Sequence, residues 1–286
     1  MELRDENLYY VGGIVRDRLL NQTSLDADYC YEGNAIEFAE KSGLNIIKIN
    51  QDFGTVRILS EDEQIDIASA RTESYPRKGH LPVVKEIGVP LEEDLKRRDF
   101  AINAMAQRTT DGGLIDPLDG KKDIENKLLR VLHKDSFIDD PSRIIRGLKF
   151  SVRFGFELEA ETKRLQDEYL NNINYDMSYY RLKKELAETF NLNKQKAYEV
   201  FIESGMYKLL GKNQKVPKQY CPIESIVSGV KSKYSWLVYL GLFDLSNLEL
   251  TRTECRIIEW AERLKTEKPN NNTPPESILI HKIRTC

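Results

Sequence analysis

The chain has 286 residues, 40% of them hydrophobic and 31% charged, with a formal net charge of −3. These values suit one or two folded units and exclude fibrous and disordered classes. They also exclude nucleic-acid binding through blanket positive charge. Any such partner has to be gripped by local patches such as "LKRRDF", "KSKYS" and "RLKKEL", set against acidic "LEED" and "SEDEQ".

No long apolar run appears, and the opening "MELRDENLYY" carries three acids where a targeting segment would be basic or apolar. A cytoplasmic chain without a membrane span is therefore expected. Cys30, Cys221, Cys255 and Cys286 lack CxxC spacing and histidine neighbours, so they are expected as reduced thiols and not as zinc ligands or disulfides.

From Asn7 to about Ser69 the pattern alternates: apolar "LYYVGG", helical "IVRDRLL", strand "LDADYCY", helix "AIEFAEKSG", then "LNIIKIN", "GTVRILS" and "QIDIAS". This predicts an α/β unit around a small sheet of roughly five strands. Ala70 to Pro90, with three prolines and two glycines, predicts a mobile loop, and "LEEDLKRRDFAINAMAQ" a helix. After "DGGLIDPLDG" the strand signals fade, and "KKDIENKLL", "DDPSRIIRGLKFSVRFG", "AETKRLQDEYL", "YRLKKELAETF" and "QKAYEVFIESG" predict helix after helix. "TEKPNNNTPPES" has the composition of a linker, and the last nine residues are expected as a loosely docked segment.

Alternate residues of a strand share a face, so Asp26 and Asp28 in "LDADYCY" project together. Paired carboxylates on a rigid strand suit Mg²⁺, which takes hard oxygen ligands and keeps waters that a substrate phosphate can replace. Asp66 in "QIDIAS" offers a third carboxylate on a nearby strand. Gly12 and Gly13 end the first strand where bare backbone can approach a phosphate, and Arg16 follows in the next helix. Taken singly, a D-x-D and a GG turn are common features of plain folding; in this order and spacing they are more specific to phosphoryl transfer.

The ordered series "VGGIVRDRLL", "LDADY", "EEDLKRRDFAINAMA", "DPLDGKKDI" and "DDPSRIIRGLKFSVRFGF" resembles the motifs of class II tRNA nucleotidyltransferases and bacterial poly(A) polymerases, within the polymerase-β-like nucleotidyltransferase superfamily. The resemblance implies an α+β fold: a catalytic head with a small mixed sheet over residues 1–110, a helical nucleotide-selecting neck over 111–170, and a helical body and short tail that hold tRNA over 171–286. It implies Mg²⁺ at Asp26 and Asp28, nucleotide contacts from Gly13 and Arg16, and further contacts from Arg98 and Asn103, with Arg97 and Asp99 in support.

Asp140 and Arg143 lie three residues apart in "DDPSRIIRG", so on a helix they share a face. A carboxylate beside a guanidinium complements both cytosine and adenine, whose amino groups adjoin ring acceptors, and refuses uracil and guanine. The same spacing also describes an ordinary ion pair with Asp139 capping the helix; the resemblance favours base reading. Arg146 continues the series. Lys149 stands where the family usually has arginine, keeping the charge and losing the planar fork, and Tyr180 precedes Arg181 where an acid is usual. Arg181, Lys183 and Lys184 are candidate tRNA phosphate contacts.

The expected activity is template-independent addition of CMP and AMP, from CTP and ATP, to tRNA 3′ ends. Addition of the terminal AMP alone is the alternative, and poly(A) synthesis a more distant one. A catalytically silent RNA-binding protein would have lost the carboxylates, which are present. The segment "ARTESYPRKGHLPVVKE" disfavours an enzyme restricted to CC, because CC-adding relatives characteristically lack this loop.

Overall fold

The computed structural model describes residues 3–23, 28–61, 63–216, 222–228 and 232–285. The chain divides into two compact units, Met1–Ser136 with Glu157–Thr162, and Phe137–Phe156 with Lys163–Cys286.

The first unit contains β1 (Leu8–Val11), α1 (Gly13–Leu19), β2 (Asp28–Tyr31), α2 (Ala35–Lys41), β3 (Ile46–Asn50), β4 (Thr55–Ser60) and β5 (Glu63–Ser69). It continues through β6 (Arg71–Ser74), β7 (Val83–Ile87), α3 (Leu91–Lys96), β8 (Ala106–Arg108), β9 (Leu114–Ile115), α4 (Gly120–Glu125) and β10 (Leu128–Leu129). Seven strands form one sheet in the order β3-β4-β5-β2-β1-β8-β9, with β2 and β5 parallel. The side chains explain the placement. In β5, Ile65, Ile67 and Ser69 are buried while Glu63, Gln64 and Asp66 are exposed, so one face packs and the other meets water. All four residues of β1 are buried, as befits a strand flanked by β2 and β8. Cys30 lies in this core, where burial pushes its thiol well above the ordinary range and keeps it protonated.

Three expectations change here. The sheet is larger than five strands because "AQR" and "LI" add β8 and β9. The stretch from Leu91 is not one helix: α3 stops at Lys96, and after Arg97–Phe100 a 3₁₀ turn, Ala101–Asn103, leads into β8. The chain breaks there because local side chains take over the backbone, with Asp99 Oδ1 accepting from Phe100 N at 2.7 Å. Within Ala70–Pro90 there is a hairpin, β6 paired antiparallel to β7, that the proline and glycine content concealed.

The second unit is helical: α6 (Ser142–Phe154), α7 (Ala160–Asn171), α8 (Tyr179–Phe190), α9 (Gln195–Glu203), α10 (Ile223–Val227), α11 (Ser235–Leu240), α12 (Arg252–Arg263) and α13 (Pro275–Thr285). β11 (Glu157–Leu158), a part of the first unit, pairs there with β10, and in the second unit α5 (Ser136–Asp139) leads into α6. Its core is aromatic, with Phe190 edge-on to Phe201 and stacked on Tyr239. A reciprocal capping box between Thr251 and Glu254 starts α12. The C-terminal segment is not loosely docked: α13 buries Leu279, Ile280 and Ile283 and packs on α11 and α12. No helix among the described residues is long and apolar enough to cross a membrane.

Candidate functional site

Strand register builds the first half of the site. Asp28 on β2 is the Cα partner of Asp66 on β5, Asp66 that of Arg57 on β4, and Arg57 that of Lys48 on β3. Partners in register share a face of a sheet, so these four side chains form one row across it. All four line a cavity of about 310 Å³ together with Val11, Asn50, Thr55 and Arg98. Asp26 lies outside the described residues. Asp66 is gripped by a fork from Arg57, whose Nε and Nη2 donate to Oδ1 and Oδ2 at 2.6 and 2.7 Å.

Asp28 and Asp66 offer only hard oxygen donors at an open cavity, and that donor chemistry fits Mg²⁺. Among the described residues no group of three or more His, Cys, Asp or Glu is placed to hold a metal. A two-carboxylate site filled out by waters and substrate phosphates is the arrangement typical of Mg²⁺.

The GG turn stands at the end of β1. Gly12 adopts φ +71°, a conformation that glycine takes without strain, and a Cβ there would come within 3.0 Å of Arg98 Nη1. Its N–H donates to Met105 O at 3.2 Å, so any backbone approach to a phosphate starts at Gly13. Arg16 is buried: Nε and Nη2 donate to Asp17 Oδ1, and Nη1 to Asn103 Oδ1 at 2.6 Å. Asn103 in turn donates to Asp99 at 3.0 Å. Arg16 and Asn103, eighty-seven residues apart, are thus joined directly, whereas Arg98 reaches the cavity with Asp28 and Asp66.

What holds Arg98 is a residue that reading the motifs passed over. Asp94, fully buried, accepts from Arg97 Nε and Nη2 through Oδ1, and from Arg98 Nη2 through Oδ2 at 2.8 Å. Burial would raise its pKa, but the Arg98 and Arg97 guanidiniums outweigh that and hold the carboxyl below its ordinary value. Its signal in the sequence is an acid three and four residues before an arginine pair, a spacing that one turn of helix brings together.

In the helical unit Asp140 and Arg143 are both buried, with Arg143 Nε 3.8 Å from Asp140 Oδ2. Asp140 Oδ1 accepts from Ser142 N at 3.1 Å and Ser142 Oγ at 2.5 Å, while Oδ2 accepts from Arg181. Asp140, and not Asp139, therefore meets the first turn of α6. Arg146 and Lys149 both grip Glu185 of α8, at 2.5 and 2.8 Å, and Lys149 also bonds Glu188. Burial would raise the Glu185 pKa, but Arg146 and then Lys149 bring it below its ordinary value. Lys183 donates to Glu254 and to the Glu249 carbonyl, and Lys184 is exposed. Of the three candidate phosphate contacts, two are thus engaged inside this unit.

Residues 8–130 match the family model of the poly A polymerase head domain. The first unit is therefore similar to that head domain, and the chain is similar in sequence to tRNA nucleotidyltransferases. It is 35% identical to the A-adding tRNA nucleotidyltransferase of Aquifex aeolicus over 266 residues, covering 85% of this chain and 31% of that protein. It is 31% identical to the CCA-adding enzyme of Bacillus subtilis over 225 residues, covering 77% of this chain and 54% of that protein. The chain thus spans a little under a third of one of these relatives and about half of the other. The structure of the Thermotoga maritima CCA-adding enzyme complexed with tRNA superposes with a TM-score of 0.73 at 27% identity, covering 96% of this chain and 73% of that chain. The expected α+β head followed by helices is the architecture found.

Proposed function

We propose that the chain adds CMP and AMP, from CTP and ATP, to the 3′ end of tRNA without a template, releasing pyrophosphate. The observation that carries this reading is the register pair of Asp28 and Asp66 on one cavity wall with Arg98, in a unit similar to this family's head domain. A divalent cation such as Mg²⁺, held by Asp28 with Asp26 and Asp66, would polarise the attacking 3′-hydroxyl and neutralise charge on the leaving pyrophosphate. Arg98, anchored by Asp94, binds the triphosphate as a fixed counter-charge. Asn103 holds Arg16 beside the GG turn's helix, and Gly12 and Gly13 leave room for the phosphates to come close. Asp140 and Arg143 select cytosine and adenine by their amino edges, with Arg146 and Lys149 in support. Leaving such groups unpaired against uracil or guanine costs roughly 1 to 3 kcal/mol each.

Addition of the terminal AMP alone is the second reading, favoured by the Aquifex relative's name. Incorporation with CTP or ATP alone, on tRNA ending at the discriminator base, at C and at CC, separates the two. The lead reading expects CMP on the first two substrates and AMP on the third; AMP on the third with no CMP use selects the second. Asp28→Ala is expected to reduce all incorporation by about a thousandfold or more. A wild type inactive on all three tRNAs, or Asp28→Ala at wild-type rate, overturns the assignment. A tRNA substrate implies a cytoplasmic setting.

A further inference from the structure

We propose that Lys48 and Arg57 form the subsite that holds the phosphates of the acceptor RNA strand beside the reacting carboxylates. The inference rests on the nucleotidyltransferase reading above and assigns residues that the sequence motifs leave out.

The argument is one of position along the sheet. In strand order, the row runs Lys48 on β3, Arg57 on β4, Asp66 on β5 and Asp28 on β2, and the next strand, β1, ends at Gly12 against Arg98. Cations therefore stand on both flanks of the carboxylates within one cavity. The transfer joins two polyanions, a nucleoside triphosphate and the end of an RNA strand, and each needs a positive wall. The β1 flank, with Arg98 and the GG turn, has the features of a triphosphate site: bare backbone and a half-buried guanidinium pre-set by Asp94. That leaves the β3–β4 flank for the RNA. Lys48 is exposed and Arg57 half-exposed, as befits groups that meet a strand arriving from solvent.

Arg57 suits two acceptors at once. The fork to Asp66 uses two of the five N–H donors of a guanidinium, and the others remain for a phosphate oxygen. A phosphate bound there would lie one strand from Asp66 and two from Asp28, which sets the terminal ribose near the carboxylates. Lys48, a further strand out, meets the preceding phosphate as a point charge. Asn50 and Thr55, which line the same cavity, are register partners and add neutral donors beside them.

The test is tRNA binding by fluorescence anisotropy across a salt series, with tRNA ending in CC, for the wild type, Lys48→Ala, Arg57→Gln and the pair. Each loss of a phosphate contact is expected to lower the slope of log K against log salt by roughly 0.7, and the pair by about twice that. The KM for ATP of Lys48→Ala is expected to stay within about twofold, because uniform RNA contacts lie apart from the triphosphate. Arg57→Lys, which keeps the charge and loses the fork, is expected to restore the slope. Lys48→Ala probes the same wall without disturbing the Arg57–Asp66 pair. Wild-type affinity and slope in both single variants and in the pair would overturn the subsite while leaving the activity intact. A wild-type chain that binds no tRNA would overturn the functional reading and the subsite together.

Discussion

The side chain that anchors Arg98 is Asp94, although it touches neither the cavity nor any residue of the conspicuous motifs except Arg97 and Arg98. It also accepts from the Arg71 backbone N–H at 3.2 Å, and Arg71 and Arg97 share Glu73. Three arginines thus converge on two buried acids. Removing one acid leaves desolvated cations uncompensated, a cost larger than the favourable contribution of the pair itself. Asp94→Asn is therefore expected to destabilise the head by about 3 kcal/mol in urea denaturation, with a several-fold rise in the KM for ATP as Arg98 loses its anchor. An unchanged denaturation midpoint would show that the arginines find other partners. Asp94 was marked in the sequence only by its spacing to Arg97 and Arg98; nothing there showed it buried beside the exposed Glu92 and Glu93. Burial separated them, and burial depends on β6, an element that the loop composition hid.

At the scale of elements, the 3₁₀ turn Ala101–Asn103 sets Asn103 against Arg16, and α4 packs on that turn. The packing depends on Gly120: a Cβ there would lie 2.3 Å from Ala101 O and 2.9 Å from Met105 Cγ. Asp116 fixes the approach by accepting from Gly120 N and Lys121 N at 2.7 and 2.9 Å. Gly120→Ala is expected to cost about 3 kcal/mol by overpacking and to displace Asn103, weakening nucleotide binding in a competition assay. Stability and binding both at wild-type level would mean that the turn relaxes freely. Elements with a strict period, such as β5 with its alternation and α6 with its apolar stripe, were legible in the sequence. The break after Lys96 was not, because helix-forming residues continue through the motif and what redirects the backbone is the Asp99 carboxylate taking the Phe100 N–H. The register that aligns Lys48, Arg57, Asp66 and Asp28 was equally hidden, since a sequence gives alternation within a strand and nothing about which residue faces which across strands.

Across the whole molecule, both units rest on buried carboxylates held ionised by cations: Asp94 in the head, and Glu185 and Glu254 in the helical unit. In each case burial raises the pKa and is outweighed. Arg98 and Arg97 lower it for Asp94, Arg146 and Lys149 for Glu185, and for Glu254 the Lys183 bond together with the Thr251 cap. A folded pKa below the unfolded one contributes stability that is complete above the ordinary carboxylate range of about 4. It is lost as pH falls through the lower folded values, because the unfolded chain then binds more protons than the native one. Urea midpoints are therefore expected to be nearly level from about pH 7 to 5 as far as these groups decide, and to fall steeply below about pH 4. Glu185→Gln is expected to lower the neutral-pH midpoint of the helical unit and to flatten its acid limb, since the variant has no proton to gain at that position. An acid limb as steep in Glu185→Gln as in the wild type would mean that Arg146 and Lys149 do not hold Glu185 ionised, and that the α6–α8 contact draws its stability from the apolar residues around it.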